Sequence, residues 1–264
     1  MFGWFQKRRH RKILETPFPS EWNAILEQNV AHWKFLDDDE RRQLRDLIQV
    51  FVAEKDWEGA GSLELDDEIC VTVAACACIL LLGIEHQYYR NVQTIIIYRS
   101  TVVTPDSRSS HGGLQTTGPG VPIHGQAMLK GPVLLVWDAV RHGARHPERG
   151  HNVVYHEFAH KLDMLDSWVD GAPPFATQDQ HTRWVEVCTR EYDALRDSAE
   201  RGKRTFLDSY GATNPGEFFA VVTEIFFDEP VELKRKHPAL YDVLDEFYRQ
   251  DPAGRVARDG VDRG

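Results

Sequence analysis

His156-Glu157-Phe158-Ala159-His160 is the stretch that decides the fold of this 264-residue chain, because it matches the pattern H-E-x-x-H. Residues i and i+4 of an α-helix lie on the same face, so the two imidazoles can reach one metal ion. Apolar residues recur at a helical period around the stretch, and neither proline nor glycine interrupts residues 152–167. The spacing therefore predicts a metal-binding helix.

Zinc suits a pair of histidines at this spacing. Glu157, one step round the helix, is placed over the open position of such a site, where it can take a proton from water without being a ligand. The alternative is that His156 and His160 are ordinary surface residues of an amphipathic helix. A catalytic zinc site needs at least one further protein ligand.

Glu217 is the best candidate for that ligand. A second helix is predicted to begin at Asn214 with Pro215 in its first turn, and Glu217 falls in the same turn. The residues at 218–220 are Phe-Phe-Ala, an apolar surface that an unpaired charge would avoid. The alternative is a capping carboxylate that interacts with the helix dipole.

Four other carboxylates have open roles. Glu186 and Glu191 are fallback third ligands, although neighbouring arginines favour ion pairs for both. Asp163 is either an acceptor for an imidazole N–H or a solvated helix carboxylate. Glu224, two turns after Glu217, either orients a metal ligand or forms an ordinary exposed pair.

The two motifs together, at residues 156–163 and 210–220, closely resemble the Mlc titration factor A family of bacterial zinc metallopeptidases. They are also similar to the catalytic domain of the lethal-factor-type gluzincins. The resemblance to the first family runs from about Pro17 to Pro252 and includes residues 131–138. It implies an α+β fold: a mainly helical, zincin-like metallopeptidase with a small mixed β-sheet beside the H-E-x-x-H helix.

The resemblance also implies roles for individual residues. His156, His160 and Glu217 would hold one zinc ion per chain, and Glu157 would be the general base of an aminopeptidase-like hydrolysis of peptide bonds. Tyr210 would donate a hydrogen bond to the oxyanion. A phenol seven residues before the third ligand could reach a tetrahedral intermediate from the side opposite Glu157, whereas the alternative is a packed loop tyrosine.

The family is associated with binding a glucose-responsive transcriptional repressor. An Mlc-like repressor is therefore a second expected partner beside the peptide substrate, and the expected process is regulation of sugar uptake. The alternative function is a non-catalytic protein that retains a zinc site and sequesters the repressor. No motif in the chain identifies the surface that would bind it.

Composition favours a cytoplasmic protein with its own core. Hydrophobic residues make up 42% of the chain, which is enough for a substantial core. The longest apolar stretch, residues 69–83, is too short to span a membrane and is interpreted as a buried helix. The chain has four cysteines, and the absence of a recognisable signal peptide predicts reduced thiols in the cytoplasm.

Charge is distributed unevenly along the sequence, and this distribution helps to separate the terminal segments from the main domain. Residues 1–12 carry five basic side chains and no acidic one, so a net charge of −10 leaves −15 on the rest, which disfavours direct nucleic-acid binding by the main body. Residues 1–16 are interpreted as a basic, disordered segment, with contact to anionic lipid or nucleic acid as the alternative. Residues 17–250 are expected to form a single zincin-like domain with a helical N-terminal part, and residues 251–264 a disordered tail.

Hydrophobic periodicity predicts the remaining elements. Helices are expected at 20–36, 38–55, 66–82, 182–201 and 238–248, and strands at 94–98 and 133–137. Residues 104–124 are interpreted as a lid, since so long a connection is unusual in a compact domain. Residues 125–128 are interpreted as an edge strand that holds a peptide, with an ordinary surface hairpin as the alternative.

Overall fold

A computed structural model describes residues 2–84, 88–100, 102–103, 122–123, 125–127, 131–166 and 170–262. Its α-helices are α1 (Phe2–Leu14), α2 (Ser20–Asn29), α3 (Asp38–Glu54), α4 (Asp67–Ile79), α5 (Trp137–Arg145), α6 (Val153–Asp163), α7 (Gln178–Glu200), α8 (Pro215–Asp228), α9 (Pro230–Lys236), α10 (Pro238–Tyr248) and α11 (Pro252–Asp262). Its strands are β1 (Asp56–Gly59), β2 (Thr94–Tyr98), β3 (Val102–Val103), β4 (Pro122–Ile123), β5 (Gly125–Ala127) and β6 (Val133–Val136). Short 3-10 helices lie at Ala31–Phe35, Pro147–Arg149, Met164–Asp166 and Ser209–Ala212.

The main sheet is small and mixed, with the strand order β1-β2-β6-β5. β2 runs parallel to both β1 and β6, and β5 pairs with β6 in the antiparallel direction. β3 and β4 form a separate antiparallel pair. Helices dominate the rest of the described chain, so the predicted mainly helical α+β class with a small mixed sheet is confirmed.

The alternation of buried side chains explains the position of the sheet. Ile95 and Ile97 of β2 and Val133 and Leu135 of β6 are fully buried, while the residues between them are only partly buried. One face of the sheet therefore packs against the helical core. α4, the predicted buried helix, lies in that core and contacts α3 and α6.

The H-E-x-x-H helix α6 has a defined start and a buried back face. Asn152 caps it, since its Oδ1 accepts hydrogen bonds from the backbone N–H groups of Val154 (3.1 Å) and Tyr155 (3.3 Å). On the back, the Phe158 ring centroid lies 4.7 Å from that of Tyr89 and 5.7 Å from that of Phe51. α6 also packs along α8, whose residues Gly216 to Asp228 are all buried.

Helices α1 and α11 lie in the two segments for which disorder was expected. The Gln49 side chain donates to the carbonyls of Ile13 (3.2 Å) and Thr16 (2.7 Å), which ties the end of α1 to α3. In α11, the buried Arg255 donates through Nε to Glu40 Oε1 at 2.9 Å. Both helices are therefore attached to the body of the protein by residues that are distant in sequence.

Other boundaries differ in detail. The predicted helix at 20–36 is interrupted at Val30, which is extended with φ −113° and ψ 92°. Strand 133–137 is one residue shorter than predicted, because Trp137 begins α5. β5 covers residues 125–127 of the edge strand expected at 125–128, and its antiparallel pairing with β6 also fits the hairpin that was the alternative. The lid expected at 104–124 lies outside the described residues except for β4.

The four cysteines are free thiols. Burial raises the pKa of Cys70 and of Cys76 to about 12. Thiols of this kind are poor nucleophiles and poor metal ligands at neutral pH.

None of the helices in the described ranges is long and apolar enough to cross a bilayer.

Candidate metal centre

The structure brings the three predicted ligands together. His156 Nε2 lies 3.0 Å and His160 Nε2 lies 3.4 Å from the same carboxylate oxygen, Oε2 of Glu217. One ligand atom from each residue lies within 4.8 Å of the others. The two histidines come from successive turns of α6 and the glutamate from the first turn of α8, so the packing of these two helices creates the cluster.

Local sequence explains why Glu217 points at the histidines. Asn214 caps α8 by accepting a hydrogen bond from the backbone N–H of Glu217 at 3.0 Å, and Pro215 is the first helical residue, as predicted. The cap therefore uses the backbone of Glu217 and leaves its carboxylate free to pair with His156. The side chain of Glu217 is only 4% exposed.

Unpaired polar atoms give an independent test of whether an ion fits here. Both ring nitrogens of His160 and Oε2 of Glu157 are buried and have no hydrogen-bond partner among the described residues. Buried polar groups are normally paired. A divalent cation between the three ligands would satisfy His160 Nε2, and two imidazoles with one carboxylate match a catalytic zinc site with an open position. The donor set fits a metal ion.

The pKa shifts of the three candidate ligands bear on metal binding as well. Burial lowers the pKa of His160, which keeps its imidazole neutral, as a metal ligand must be. Burial would raise the pKa of Glu217, but the hydrogen bond with His156 and the nearby His160 ring hold it well below its usual range. For His156, burial is outweighed by Glu217 and Glu224, which raise the pKa of the ring well above its ordinary value. Metal binding must then release a proton from this histidine.

Glu157 is a buried carboxyl group beside the ligands, with only 4% of its surface exposed. Burial raises its pKa to about 8, opposed by His156 and reinforced by Glu217 and Glu224. A cation at the neighbouring cluster would act in the opposite direction, by stabilising the carboxylate. A carboxyl group balanced in this way is suited to accepting a proton and returning it near neutral pH.

Tyr210 lies at the open side of the cluster. Its ring centroid is 6.0 Å from that of His156, and 46% of the residue is exposed. Asp208 accepts a hydrogen bond from the backbone N–H of Tyr210 at 2.8 Å and so fixes the short helix that carries it. Burial of part of the side chain and the charge of Glu217 raise the pKa of the phenol. The hydroxyl therefore remains a hydrogen-bond donor at neutral pH.

Glu224 contacts His156, as expected for the first of its two predicted roles, that of orienting a metal ligand. Its Oε1 lies 2.7 Å from His156 Nδ1, and its Oε2 accepts a hydrogen bond from the backbone N–H of Asn152 at 2.7 Å. The residue is 6% exposed, so the exposed-pair alternative is wrong. A carboxylate that accepts the Nδ1 proton of His156 directs Nε2 toward Glu217 and connects the ring to the start of α6.

The remaining carboxylates lie elsewhere. Asp163 is fully buried, which excludes the solvated interpretation, and its Oδ2 accepts a hydrogen bond from the backbone N–H of Gly171 at 3.1 Å. Gly171 has a φ of +74°, and a Cβ there would lie 2.3 Å from the Pro215 carbonyl oxygen, so only glycine fits this approach to α8. Glu191 Oε2 lies 2.8 Å from His237 Nδ1 and Glu186 is exposed, so neither belongs to the cluster.

A mainly helical fold that holds an H-E-x-x-H helix against a glutamate from a second helix defines a zincin-like, metallopeptidase-like protein. The sequence pattern of the glucose-regulated metallopeptidase M90 family matches residues 4–249. The chain belongs to this family.

Individual relatives agree with this assignment. The chain is 34% identical over 244 residues to an uncharacterized protein of Synechocystis sp., a match that covers 92% of this chain and 89% of the relative. It is 30% identical over 229 residues to Mlc titration factor A of Edwardsiella ictaluri, covering 86% of each chain. It is 28% identical over 242 residues to Mlc titration factor A of Yersinia pestis, covering 90% and 87%. The predicted resemblance to the Mlc titration factor A family is confirmed.

Proposed function

We propose that the protein is a zinc-dependent peptidase in which His156, His160 and Glu217 hold the ion. The observation that carries the proposal is the meeting of two imidazole nitrogens and one carboxylate oxygen beside the buried Glu157. Zinc is the best match to this donor set, although cobalt or manganese could occupy it in vitro. An aminopeptidase-like preference rests on the family resemblance alone.

The chemistry divides among the groups as follows. Zinc, when bound, lowers the pKa of water and polarises the scissile carbonyl. Glu157 accepts the proton of the attacking water and later delivers it to the leaving amine. Tyr210, on the exposed side of the cluster, donates a hydrogen bond to the oxyanion of the tetrahedral intermediate.

The substrate proposed is a peptide in extended form, bound along β5. β5 is at the edge of the main sheet, where it pairs with β6 on one side, and it lies against α6. A sheet edge can bind an extended chain through main-chain hydrogen bonds. Pairing along β5 would therefore bring the scissile bond toward the metal ligands on α6.

Metal analysis combined with a peptide assay tests the proposal. The purified protein should contain one zinc per chain and hydrolyse a fluorogenic aminoacyl or internally quenched peptide. A chelator should abolish that activity and added zinc should restore it, because the protein residues alone cannot activate the water and polarise the carbonyl as the ion does. A fully zinc-loaded protein that cleaves no member of a broad peptide library would contradict the proposed function.

Glu224→Gln is expected to weaken zinc binding by about 10–100-fold without unfolding the protein. An amide has one acceptor oxygen, whereas the carboxylate of Glu224 lies within hydrogen-bond distance of both His156 Nδ1 and the Asn152 N–H. Competition with a calibrated chelator measures the affinity independently of turnover. Glu232→Gln, at a glutamate on α9 whose side chain is 43% exposed and pairs with Arg235, is the control that should bind zinc normally. Unchanged zinc affinity in a folded Glu224→Gln protein would remove this positioning role.

A second candidate function is sequestration of a transcriptional repressor. Two of the relatives are named Mlc titration factor A, which favours an Mlc-like repressor as a partner. Under this hypothesis the zinc site is retained and catalysis is secondary or is triggered by the encounter. The two candidates differ in whether Glu157 is needed for the effect in cells.

A further inference from the structure

Helix α1 exposes an unusual amount of apolar surface. Six large hydrophobic side chains are exposed among the described residues, and three of them belong to α1. Trp4 is 60% exposed, Phe5 is 61% exposed and Leu14 is 37% exposed. The aromatic rings of Trp4 and Phe5 lie side by side, with centroids 5.1 Å apart. Exposed aromatic groups of this kind mark a binding surface more often than isolated apolar residues do.

The opposite side of the helix is attached to the body of the protein. His10 Nε2 lies 2.9 Å from Glu54 Oε1, and the His10 ring packs against Tyr88 with centroids 4.4 Å apart. Gln49 donates to the carbonyls of Ile13 and Thr16 at the end of α1. These contacts hold α1 on α3 and fix which of its faces points outward.

The outward face combines these aromatics with unpaired positive charge. Trp4, Arg8 and Arg11 follow i, i+4, i+7 spacing and so share one face, and the Arg8 guanidinium lies 5.8 Å from the centroid of the Trp4 ring. Within the described chain only Arg9 of the five basic residues of α1 has an acidic partner, Glu54 at 3.7 Å. The basic residues of α9 differ, since Arg235 and Lys236 both pair with Glu232.

We propose that α1 is a surface-binding helix for anionic phospholipid bilayers. In the bound state Trp4 and Phe5 enter the boundary between headgroups and acyl chains, and the lysines and arginines contact lipid phosphates. At 13 residues α1 is too short to cross a bilayer, so it lies in the plane of the surface. The rest of the chain carries a charge of −15, which orients α1 toward an anionic surface and the remaining protein away from it.

A lipid surface fits these residues better than nucleic acid does. Base stacking needs an aromatic face that is open. In Trp4, the Arg8 guanidinium lies 5.8 Å from the ring centroid and the Phe5 ring lies edge-to-face beside it, so part of the aromatic surface is already occupied. Tryptophan beside arginine is the composition that prefers the membrane–water interface.

Sedimentation of the full chain with lipid vesicles tests the proposal. Binding to phosphatidylcholine vesicles that contain phosphatidylglycerol should be at least about tenfold tighter than binding to phosphatidylcholine alone, and it should weaken at high salt. The double variant Trp4→Ser, Phe5→Ser should lose about tenfold in affinity for the anionic vesicles. Arg8→Gln, Arg11→Gln should lose a similar factor and depend less on salt.

Val231→Ser is the matched control, because Val231 is 49% exposed on α9 beside basic residues that are already paired. It should bind vesicles like the unmodified chain. All variants should retain the unmodified melting temperature and zinc content, since the replaced side chains are exposed. Equal binding to neutral and anionic vesicles, or a Trp4/Phe5 variant that binds normally, would overturn the proposal. Tighter binding to a single-stranded or duplex oligonucleotide than to anionic vesicles would also overturn it.

Discussion

Glu157→Gln is expected to leave zinc bound while peptide hydrolysis falls by about 10²–10⁴-fold, the usual contribution of a general acid–base group. Glutamine keeps the size of the side chain but cannot accept the proton of the attacking water. It also removes a buried carboxyl group whose pKa is raised to about 8, so folding should not suffer. Steady-state kinetics and elemental analysis on the same preparation measure both outcomes.

The matched control is Glu186→Gln, which makes the same chemical change at an exposed glutamate of α7 and should leave turnover unaltered. Near-normal hydrolysis by the Glu157→Gln protein would remove Glu157 from the proposed role.

The Glu157→Gln variant also separates the two candidate functions in cells. If it binds the repressor and retains the full cellular effect, sequestration is favoured. If binding persists and the effect is lost, catalysis is required.

Glu217→Ala is expected to abolish stable zinc binding. The substitution leaves two imidazoles without the carboxylate that lies 3.0 Å and 3.4 Å from their Nε2 atoms. Removal of a group that only supports a ligand typically lowers metal affinity by about 10–100-fold, and removal of a direct ligand should lower it further. Glu217→Ala should therefore bind zinc more weakly than Glu224→Gln does. Chelator competition gives the affinities, and zinc should raise the melting temperature of the unmodified protein but not that of Glu217→Ala.

Glu191→Ala is the informative comparison, because Glu191 was one of the two fallback third ligands, with Glu186, and lies near His237 instead. It should bind zinc normally and remain active. Zinc retention by Glu217→Ala together with zinc loss by Glu191→Ala would transfer the ligand role to α7. Retention by both variants would mean that the ion sits elsewhere.

Local chemistry explains which parts of the fold were predictable. The H-E-x-x-H spacing, the Asn214 cap followed by Pro215, and the alternating apolar residues of β2 each specify an element through neighbours in the sequence. Segments that depend on distant partners were missed. α1 and α11 look solvated by composition, and only the contacts of Gln49 with α1 and of Glu40 with Arg255 reveal that they belong to the fold.

The sequence by itself determined the class of the protein and the paired histidines of the candidate metal site, because two imidazoles one helical turn apart are a local feature that survives any arrangement of the helices. The tertiary structure decided which carboxylate meets the histidines and what supports them. From the sequence, Glu217 was the favoured third ligand, Glu186 and Glu191 were fallbacks, and the supporting roles of Asp163 and Glu224 were open. Only the packing of α8 along α6 brings Glu217 to both Nε2 atoms and Glu224 to His156 Nδ1. Burial there removes water as a competing partner, so each buried donor must find an acceptor within the protein or on an ion.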